Sequence, residues 1–332
     1  MLLIKTHIMK RNHPQPLRFK TLSEALSSIG FPPPAHPLIT LINAVDNQFD
    51  ATPPLHSQML SFYKISYRVD VGGTIPYGRT KFDYLEGGLF FAAPRQIIGS
   101  HPNETHKEAP LNENTTGEAP VAGCLAEQIT ILIHPDFLLN YPLAQKIRQY
   151  NFFSYSVNEA LLLSEKEKGV ILALLRNIEE ELSHPIDDIS QDIIISQLDL
   201  FFSYAQRFYK RQFITRRPAS KTTVEKMNTL LDNYFENPGI SQKGLPSVQY
   251  LAGQLNVSPG YLSDLIRSTT GLSAQQYIHE ILIEKAKEQL MSTELTVSEI
   301  AYSLGFEHPQ SFSKFFKTKT TKSPMAYRSA NN

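Results

Sequence analysis

Two short stretches near the end of the chain carry polar side chains of the kinds that recognise the edges of bases. In the later stretch, the amide of Gln310 suits adenine and the ammonium of Lys314 suits guanine. In the earlier stretch, Asp264 can accept a hydrogen bond from the amino group of cytosine, although a carboxylate near a helix start can equally satisfy the helix dipole. These residues indicate contact with nucleic acid if both stretches are helices that present them on one side.

Apolar residues at helical spacing define the inward face of each stretch. They are Leu262, Leu265 and Ile266 in the earlier stretch, and Phe312, Phe315 and Phe316 in the later one. The residues left outward form the predicted DNA-binding set: Ser258, Gly260, Tyr261, Ser263, Asp264, Arg267, Pro309, Gln310, Ser311, Ser313, Lys314 and Lys317. Early outward positions of such a helix read bases and later basic ones contact phosphates, so Lys317, Lys319 and Lys322 suit the DNA backbone.

The two stretches belong to an internal repeat with a period of 49 to 50 residues. At an offset of 49, Ala252 matches Ala301 and Leu255 matches Leu304. After one extra residue in the second copy the offset is 50, and the matched pairs are Leu262 with Phe312, Ile266 with Phe316, Arg267 with Lys317, Ser273 with Ser323, and Tyr277 with Tyr327. A slip of one residue in the turn is what a repeated helix-turn-helix tolerates.

Helix caps and turn residues support a helix-turn-helix over 248–269 in the first copy. Asn256 is at ease in a left-handed turn, and Ser258-Pro259 places an N-cap before a proline at the first helical position. Gly271 can end the second helix in the left-handed conformation.

The second copy has equivalent signals over 297–318. Thr296-x-x-Glu299 is a capping box, Gly305 makes the turn, and His308-Pro309 starts the next helix. Between the copies, Ser273-x-x-Gln276 caps a predicted helix that ends at Met291 and is roughly 27 Å long. Because successive major-groove faces lie about 34 Å apart, such a rod can hold two recognition helices in adjacent grooves.

These residues resemble the AraC/XylS family of transcription regulators. The matching motifs are Ile300-Ala301-x-x-x-Gly305-Phe306, Ser311-Phe312-x-x-x-Phe316-Lys317 and Ser323-Pro324-x-x-Tyr327-Arg328, with further similarity over Leu251 to Tyr277. Thr321 departs from the family pattern, which has glycine there, and implies a strained or reshaped turn. The resemblance implies a repressor or, more often, an activator that contacts promoter DNA and RNA polymerase.

The first 163 residues are predicted to be a β-rich domain. Short β-branched or aromatic runs occur at Ile39–Val45, Met59–Val69, Leu89–Ala93 and Gln128–His134, and a polar loop is expected at His101–Pro120. Such strands suggest a sandwich or small barrel, and the resemblance implies a cupin-like domain that binds a small-molecule effector. Six aromatic residues could line a partly apolar pocket or could simply form the core: Tyr63, Tyr67, Phe82, Tyr84, Phe90 and Phe91.

Two amphipathic helices are predicted over 164–212, the first opened by a Ser164-x-x-Glu167 capping box. They could be a layer of core, or a homodimer interface such as the resemblance implies. The sequence therefore predicts an α+β chain with a cupin-like domain (1–163), dimerisation helices (164–212), a linker (213–222) and an all-α DNA-binding domain (223–332).

Composition limits the alternatives. No cofactor or metal is expected and enzymes are disfavoured, because the chain has one cysteine, Cys124, and lacks His-x-His, Gly-x-Ser-x-Gly, His-Glu-x-x-His and phosphate-binding glycine motifs. A cupin-type enzyme with an appended DNA-binding domain is the weaker rival. A non-specific architectural DNA-binding protein is the other rival, and equal numbers of acidic and basic residues, 32 each, argue against it. Without a signal-like or membrane-spanning run, we expect no membrane association and a cytoplasmic location.

Overall fold

The computed structural model describes residues 16–43, 58–68, 74–77, 80–83, 88–98, 128–156, 159–184, 187, 189–215, 217–236 and 244–330. Cys124, Tyr84, the side chain of Phe82 and the loop predicted at His101–Pro120 lie outside the described residues. The chain divides into two compact units, Met1–Ala205 and Gln206–Asn332.

The first unit contains the β-sheets. Its strands are β1 (Leu17–Phe19), β2 (Ile39–Asn43), β3 (Gln58–Leu60), β4 (Tyr63–Arg68), β5 (Thr74–Tyr77), β6 (Thr80–Asp83), β7 (Gly88–Ala92), β8 (Ile97–Ile98), β9 (Gln128–Ile133) and β10 (Leu161–Leu162). The main sheet has five antiparallel strands in the order β10-β7-β4-β9-β2. A smaller sheet has the order β1-β3-β8, and β5 pairs with β6 as a hairpin.

The run predicted as one strand at Met59–Val69 is divided between two sheets. β3 pairs with β1 and β8, whereas β4 pairs with β7 and β9. The chain bends at Ser61 and Phe62 to pass from one sheet to the other, and Phe62 is fully buried there.

One face of the main sheet forms the core of the first unit. Ile65 of β4, Phe91 of β7 and Ile131 of β9 are almost fully buried. An aromatic cluster packs on this face, with ring centroids 4.6 Å apart for Phe91 and Phe152 and 6.4 Å apart for Phe91 and Phe201. Two of the six aromatic residues that could line a pocket or form the core, Tyr67 and Phe91, are therefore core residues.

Helices cover this sheet. They are α1 (Leu22–Ser28), α2 (Leu143–Lys146), α3 (Glu165–Ser183) and α4 (Ser190–Thr215), with 3-10 turns at Pro135–Leu138, Ile147–Gln149 and Asn151–Ser154. The capping box predicted at Ser164 and Glu167 is present at the start of α3. The side chain of Gln191 donates to the carbonyl of Phe137 at 2.9 Å, and Tyr141 donates to Asp192 at 2.6 Å, so the start of α4 is fixed to the segment that follows β9.

The second unit is helical. Its helices after the end of α4 are α5 (Arg217–Glu236), α6 (Val248–Leu255), α7 (Pro259–Thr270), α8 (Ala274–Ser292), α9 (Val297–Ser303), α10 (Pro309–Thr320) and α11 (Pro324–Ser329). The α+β class is confirmed, with sheets in the N-terminal region and helices in the C-terminal region. No helix of the described residues is both long and apolar enough to span a bilayer.

The segment 213–222, which we predicted as a linker, is helical wherever it is described. α4 continues to Thr215 and α5 begins at Arg217. Pro218 is compatible with this helix because proline is tolerated in a first turn, where the backbone N–H has no helical partner. That this segment links two functional domains stays a prediction.

Candidate nucleic-acid interface

The first helix pair, α6 and α7, is joined by a tight turn. Asn256 ends α6 in the left-handed conformation at φ 54°, and the Val257 N–H donates to the Ala252 carbonyl at 3.0 Å. Ser258 then caps α7, its hydroxyl accepting from the Tyr261 N–H at 3.2 Å. Ala252 is fully buried, which fits a small residue where the helices approach closely.

The second helix pair, α9 and α10, repeats this turn. Gly305 is left-handed at φ 89°, and the Phe306 N–H donates to the Ala301 carbonyl at 2.9 Å. This bond matches the one from Val257 to Ala252 at the offset of 49 that the sequence repeat predicts. The extra residue of the second copy, Glu307, follows the turn and is exposed.

The outward face of α7 is smaller than we predicted. Arg267 is exposed, but Gly260, Tyr261, Ser263 and Asp264 are half-buried. The ring of Tyr261 packs edge-on against Phe213 at 5.1 Å, and the Ser263 hydroxyl donates to the Pro259 carbonyl.

Ser258 does not face outward as expected. It is only 8% exposed, because its side chain turns back to cap the backbone of α7. Its inclusion among the outward residues was therefore wrong.

The outward face of α10 is open and basic. Gln310, Ser311, Lys314 and Lys317 are exposed, and Pro309 is half-buried. Within the described residues, none of the side chains of Gln310, Ser311, Lys314 and Lys317 forms a hydrogen bond or an ion pair with the rest of the domain.

Phe315 is half-buried rather than fully buried as predicted. Its ring packs edge-on against His279 at 5.1 Å and at an angle against Phe306 at 5.6 Å. Phe312 and Phe316 take the fully buried positions of the stripe. Two adjacent aromatic residues on a helix point about 100° apart, so they cannot both face the centre of the core.

Known proteins are similar to about half of this chain. The uncharacterized HTH-type transcriptional regulator YijO of Escherichia coli strain K12 is 35% identical over 155 residues, which cover 47% of this chain and 51% of that protein. The Msm operon regulatory protein of Streptococcus mutans is 26% identical over 145 residues, which cover 43% of this chain and 50% of that protein. The chain thus matches about half the length of these curated relatives.

Among solved structures, the C-terminal domain of AraT, a response regulator from Geobacillus stearothermophilus, is 33% identical with a TM-score of 0.29; the match covers 32% of this chain and 84% of that one. A family model described as a helix-turn-helix domain matches residues 251–330. The C-terminal region is an AraC-type helix-turn-helix domain. The resemblance noted in the sequence is confirmed for this region.

The central helix α8 of the AraC-type domain separates the two helix pairs. Its 19 residues give a length of about 28 Å at 1.5 Å per residue. Its predicted capping box at Ser273 and Gln276 is present. Ile278, Leu282 and Ala286 are buried along its length, so α8 is the core element around which both pairs of the AraC-type domain pack.

Arg328 has a structural role that sequence reasoning missed. Its guanidinium donates to the carbonyls of Leu290 at 2.9 Å and of Leu295 at 2.7 Å. These bonds satisfy acceptors around the C-terminal end of α8, where unpaired carbonyls and the helix dipole favour a cation. Arg328 therefore belongs to the scaffold of the AraC-type domain, whereas the lysines of α10 remain outward.

The packing of helix α5 against α8 is a second feature that the sequence did not predict. Tyr277 of α8 donates to Asn228 at 2.9 Å, and Lys285 of α8 pairs with Asp232 at 3.1 Å. Met227 and Leu231 of α5 are fully buried. α5 therefore packs against the AraC-type domain, although it precedes the region that the family model matches.

His279 of α8 lies beside the second helix pair. Burial, and to a smaller degree the positive charge of Lys319, lowers the pKa of His279 below its ordinary value. The neutral imidazole is therefore the form that fits against Phe315. No signal in the sequence linked His279 to α10, because the two are distant in the chain.

Proposed function

We propose that this chain is a sequence-specific transcription regulator that reads two adjacent major grooves of promoter DNA. The repeated turn is the observation that supports this most directly, with the Val257-to-Ala252 and Phe306-to-Ala301 hydrogen bonds at equivalent positions. Each turn is followed by a helix that starts with proline and carries polar residues on one side. Two helix-turn-helix motifs built alike, with α8 of about 28 Å between them, suit grooves about 34 Å apart.

Roles within the interface follow from side-chain chemistry. On α10, Gln310 and Lys314 are proposed to contact bases, while Lys317, Lys319 and Lys322 contact phosphates. On α7, Arg267 is the proposed phosphate contact. The remaining proposed contacts are the early positions of both helices: Gly260, Tyr261, Ser263, Asp264, Pro309 and Ser311.

The near-neutral charge of the C-terminal region bears on how affinity arises. From Ala219 to the end there are eleven basic and ten acidic residues. Non-specific binding depends on phosphate neutralisation, and this region supplies little net charge for it. Affinity is therefore proposed to depend on the local lysines of α10 and on two copies of the chain acting together.

A homodimer is proposed on the basis of α4. Ile193 and Leu200 lie seven residues apart on this helix and are 38% and 48% exposed, and Ile189 at its start is 63% exposed. A second copy could bury these side chains.

The N-terminal sheets are proposed to form a cupin-like domain that responds to a small-molecule effector. The regulator is proposed to act in the cytoplasm together with RNA polymerase and to favour activation. We propose neither a cofactor nor an enzymatic activity for it.

Selection of bound sequences from random DNA tests the proposal. We expect enrichment of a site with two half-contacts about one helical turn apart, and at least about a thousandfold preference for it over scrambled DNA. Fluorescence anisotropy with competitor DNA measures that preference, and sedimentation measures the oligomeric state. Equal affinity for all sequences would favour the architectural alternative and contradict sequence-specific regulation.

A further inference from the structure

A cavity of about 640 Å³ lies in the first unit, at one end of the main sheet. Its walls come from the start of β4, the turn after β7, the segment after β9 and the 3-10 turns that follow α2. This volume is within the range of cavities that bind metabolites. The cavity belongs to the first unit and shares no residue with the DNA-binding faces. It is not the pocket predicted from the strand aromatics, because among those whose side chains are described it shares only Tyr63.

Two arginines give the cavity its charge. Arg95 and Arg148 both line it and are exposed. Neither arginine forms an ion pair with a carboxylate within the described residues. Arg148 instead lies near the hydroxyl of Tyr63. Burial raises the pKa of Tyr63, and the positive charge of Arg148 partly offsets that rise. Asp136 is the one carboxylate among the described lining residues, and it is 58% exposed and faces His134.

Aromatic rings supply an apolar wall. Tyr63, Tyr150 and Phe153 line the cavity and are nearly buried, with the rings of Tyr63 and Phe153 in an edge-on contact at 5.1 Å. An apolar wall with a few charged groups at the rim is the usual composition of a small-molecule site. Such walls hold the body of a ligand, while guanidinium groups hold a carboxylate or phosphate through paired charge-assisted hydrogen bonds.

The two sides of the cavity are joined by backbone hydrogen bonds. The Ala93 N–H donates to the Phe153 carbonyl at 3.2 Å, and the Arg95 N–H donates to the Leu60 carbonyl at 2.7 Å. Arg95 is held in the left-handed conformation at φ 70°, which is uncommon for a residue with a side chain. Residues in this conformation concentrate at functional sites, and here the left-handed residue is one of the two arginines that line the cavity.

We propose that this cavity binds a small organic anion, whose phosphate or carboxylate is held by Arg95 and Arg148 and whose body lies against Tyr63, Tyr150 and Phe153. The anion is the effector of the regulator, and this part of the inference depends on the proposed function. Binding of the anion to the cavity does not depend on the proposed function.

Calorimetry with the full chain tests binding. The probes are glucose 6-phosphate, glucuronate and uncharged glucose, which share one ring and differ in the charged group. We expect at least one anion to bind at least about tenfold more tightly than glucose, as loss of charge-assisted hydrogen bonds implies. The two anions distinguish phosphate from carboxylate. Failure of both to bind at millimolar concentration would overturn the proposal.

Two substitutions locate the site. Arg148→Gln keeps the length of the side chain, and Arg95→Asn removes the charge with a residue that tolerates the left-handed conformation. Each should weaken anion binding about tenfold or more, while Arg176→Gln, an exposed arginine of α3, should not. If both variants fold and bind the anion as tightly as the parent chain does, the proposal is overturned. Arg148→Gln also removes the contact with Tyr63, so Arg95→Asn is the variant that decides if Arg148→Gln does not fold.

The same proteins are titrated with selected DNA. An anion that binds the cavity should change DNA affinity in the parent chain and leave it unchanged in Arg95→Asn. Anion binding without any DNA binding would reject the proposed regulator and keep the site. DNA binding that no anion changes would keep the regulator and reject the effector role.

Discussion

The two helix pairs of the AraC-type domain share a backbone design and differ in what they expose. Both turns use a left-handed residue and the same backbone hydrogen bond. The outward side of α7 is mostly half-buried and carries Asp264 with Arg267, whereas that of α10 is exposed and carries Lys314 with Lys317. The repeat therefore preserves the positions of the helices, while the surface chemistry of each helix is free to diverge.

Their cores differ as well. Leu262 and Ile266 of the first pair correspond to Phe312 and Phe316 of the second, and all four are almost fully buried. Phe316 contacts Phe312 at 5.8 Å and Tyr327 at 5.5 Å between ring centroids. The second pair is thus stabilised by an aromatic cluster, whereas the first pair has aliphatic packing at the equivalent positions.

The largest expected effect is on this core. Phe316→Ala should lower the free energy of unfolding by about 3–5 kcal/mol, and its counterpart Ile266→Ala by about 2–5 kcal/mol, because each leaves a cavity in close packing. Urea unfolding followed by circular dichroism measures both. A loss below about 1 kcal/mol for Phe316→Ala would mean that the aromatic cluster does not hold the second pair.

The next effect is on DNA. Gln310→Ala and Lys314→Ala should each cost about 1–3 kcal/mol of binding on the preferred site and relax the sequence preference locally. Asp264→Ala, at the position equivalent to Lys314, should cost less, because its helix is partly covered. Anisotropy titrations against specific and scrambled sites measure the difference.

Lys319→Ala and Lys322→Ala are the matched controls for base reading. Both residues are exposed near the end of α10. Their loss should weaken all sequences alike and reduce the salt dependence by about one ion per contact. If Gln310→Ala and Lys314→Ala also weaken binding to all sequences alike, α10 does not read the base sequence. The first helix pair or the shape of the DNA must then provide the specificity.

Local signals made much of this interface predictable. Caps at Ser258 and Thr296 and the left-handed turn at Asn256 depend on residues close in sequence, and the structure has each of them. The start of helix α5 was not identified, because it lies within the segment 213–222 that we predicted as a linker. The cavity was not predictable, because Arg95 and Arg148 are distant in sequence and come to line one cavity only through the folding of the sheet and its connections.

A smaller effect concerns the residues that end α7 and α10. Gly271 and Thr321 occupy equivalent positions, and both are left-handed, at φ 78° and φ 64°. A β-branched residue is strained in this conformation and glycine is not. Thr321→Gly should therefore stabilise the domain by about 1 kcal/mol, whereas Gly271→Ala should destabilise it by about 1–2 kcal/mol.

Thermal and urea unfolding of these two variants provide the measurement. No atom lies within 4 Å of a Cβ placed on Gly271, so the cost of Gly271→Ala would come from the backbone alone. A destabilising Thr321→Gly would indicate that the hydroxyl of Thr321, which donates to the Thr320 carbonyl, compensates for the strain.

The smallest expected effect is an acid sensitivity of the second pair that arises from His279. His279 packs on Phe315, whose counterpart Leu265 is an aliphatic residue of the first pair. Because burial and Lys319 lower the folded pKa of His279, the unfolded chain takes up a proton first as the pH falls below about 6.5. Stability should therefore decrease as the pH falls through that value, and the loss should level off once the folded protein is protonated too. His279→Gln should reduce this dependence of stability on pH, measured by urea unfolding between about pH 7 and pH 5. His308 is exposed at the start of α10, so His308→Gln is the control and should leave the pH dependence unchanged. Equal slopes for the parent and His279→Gln would show that the contact with Phe315 does not favour the neutral imidazole.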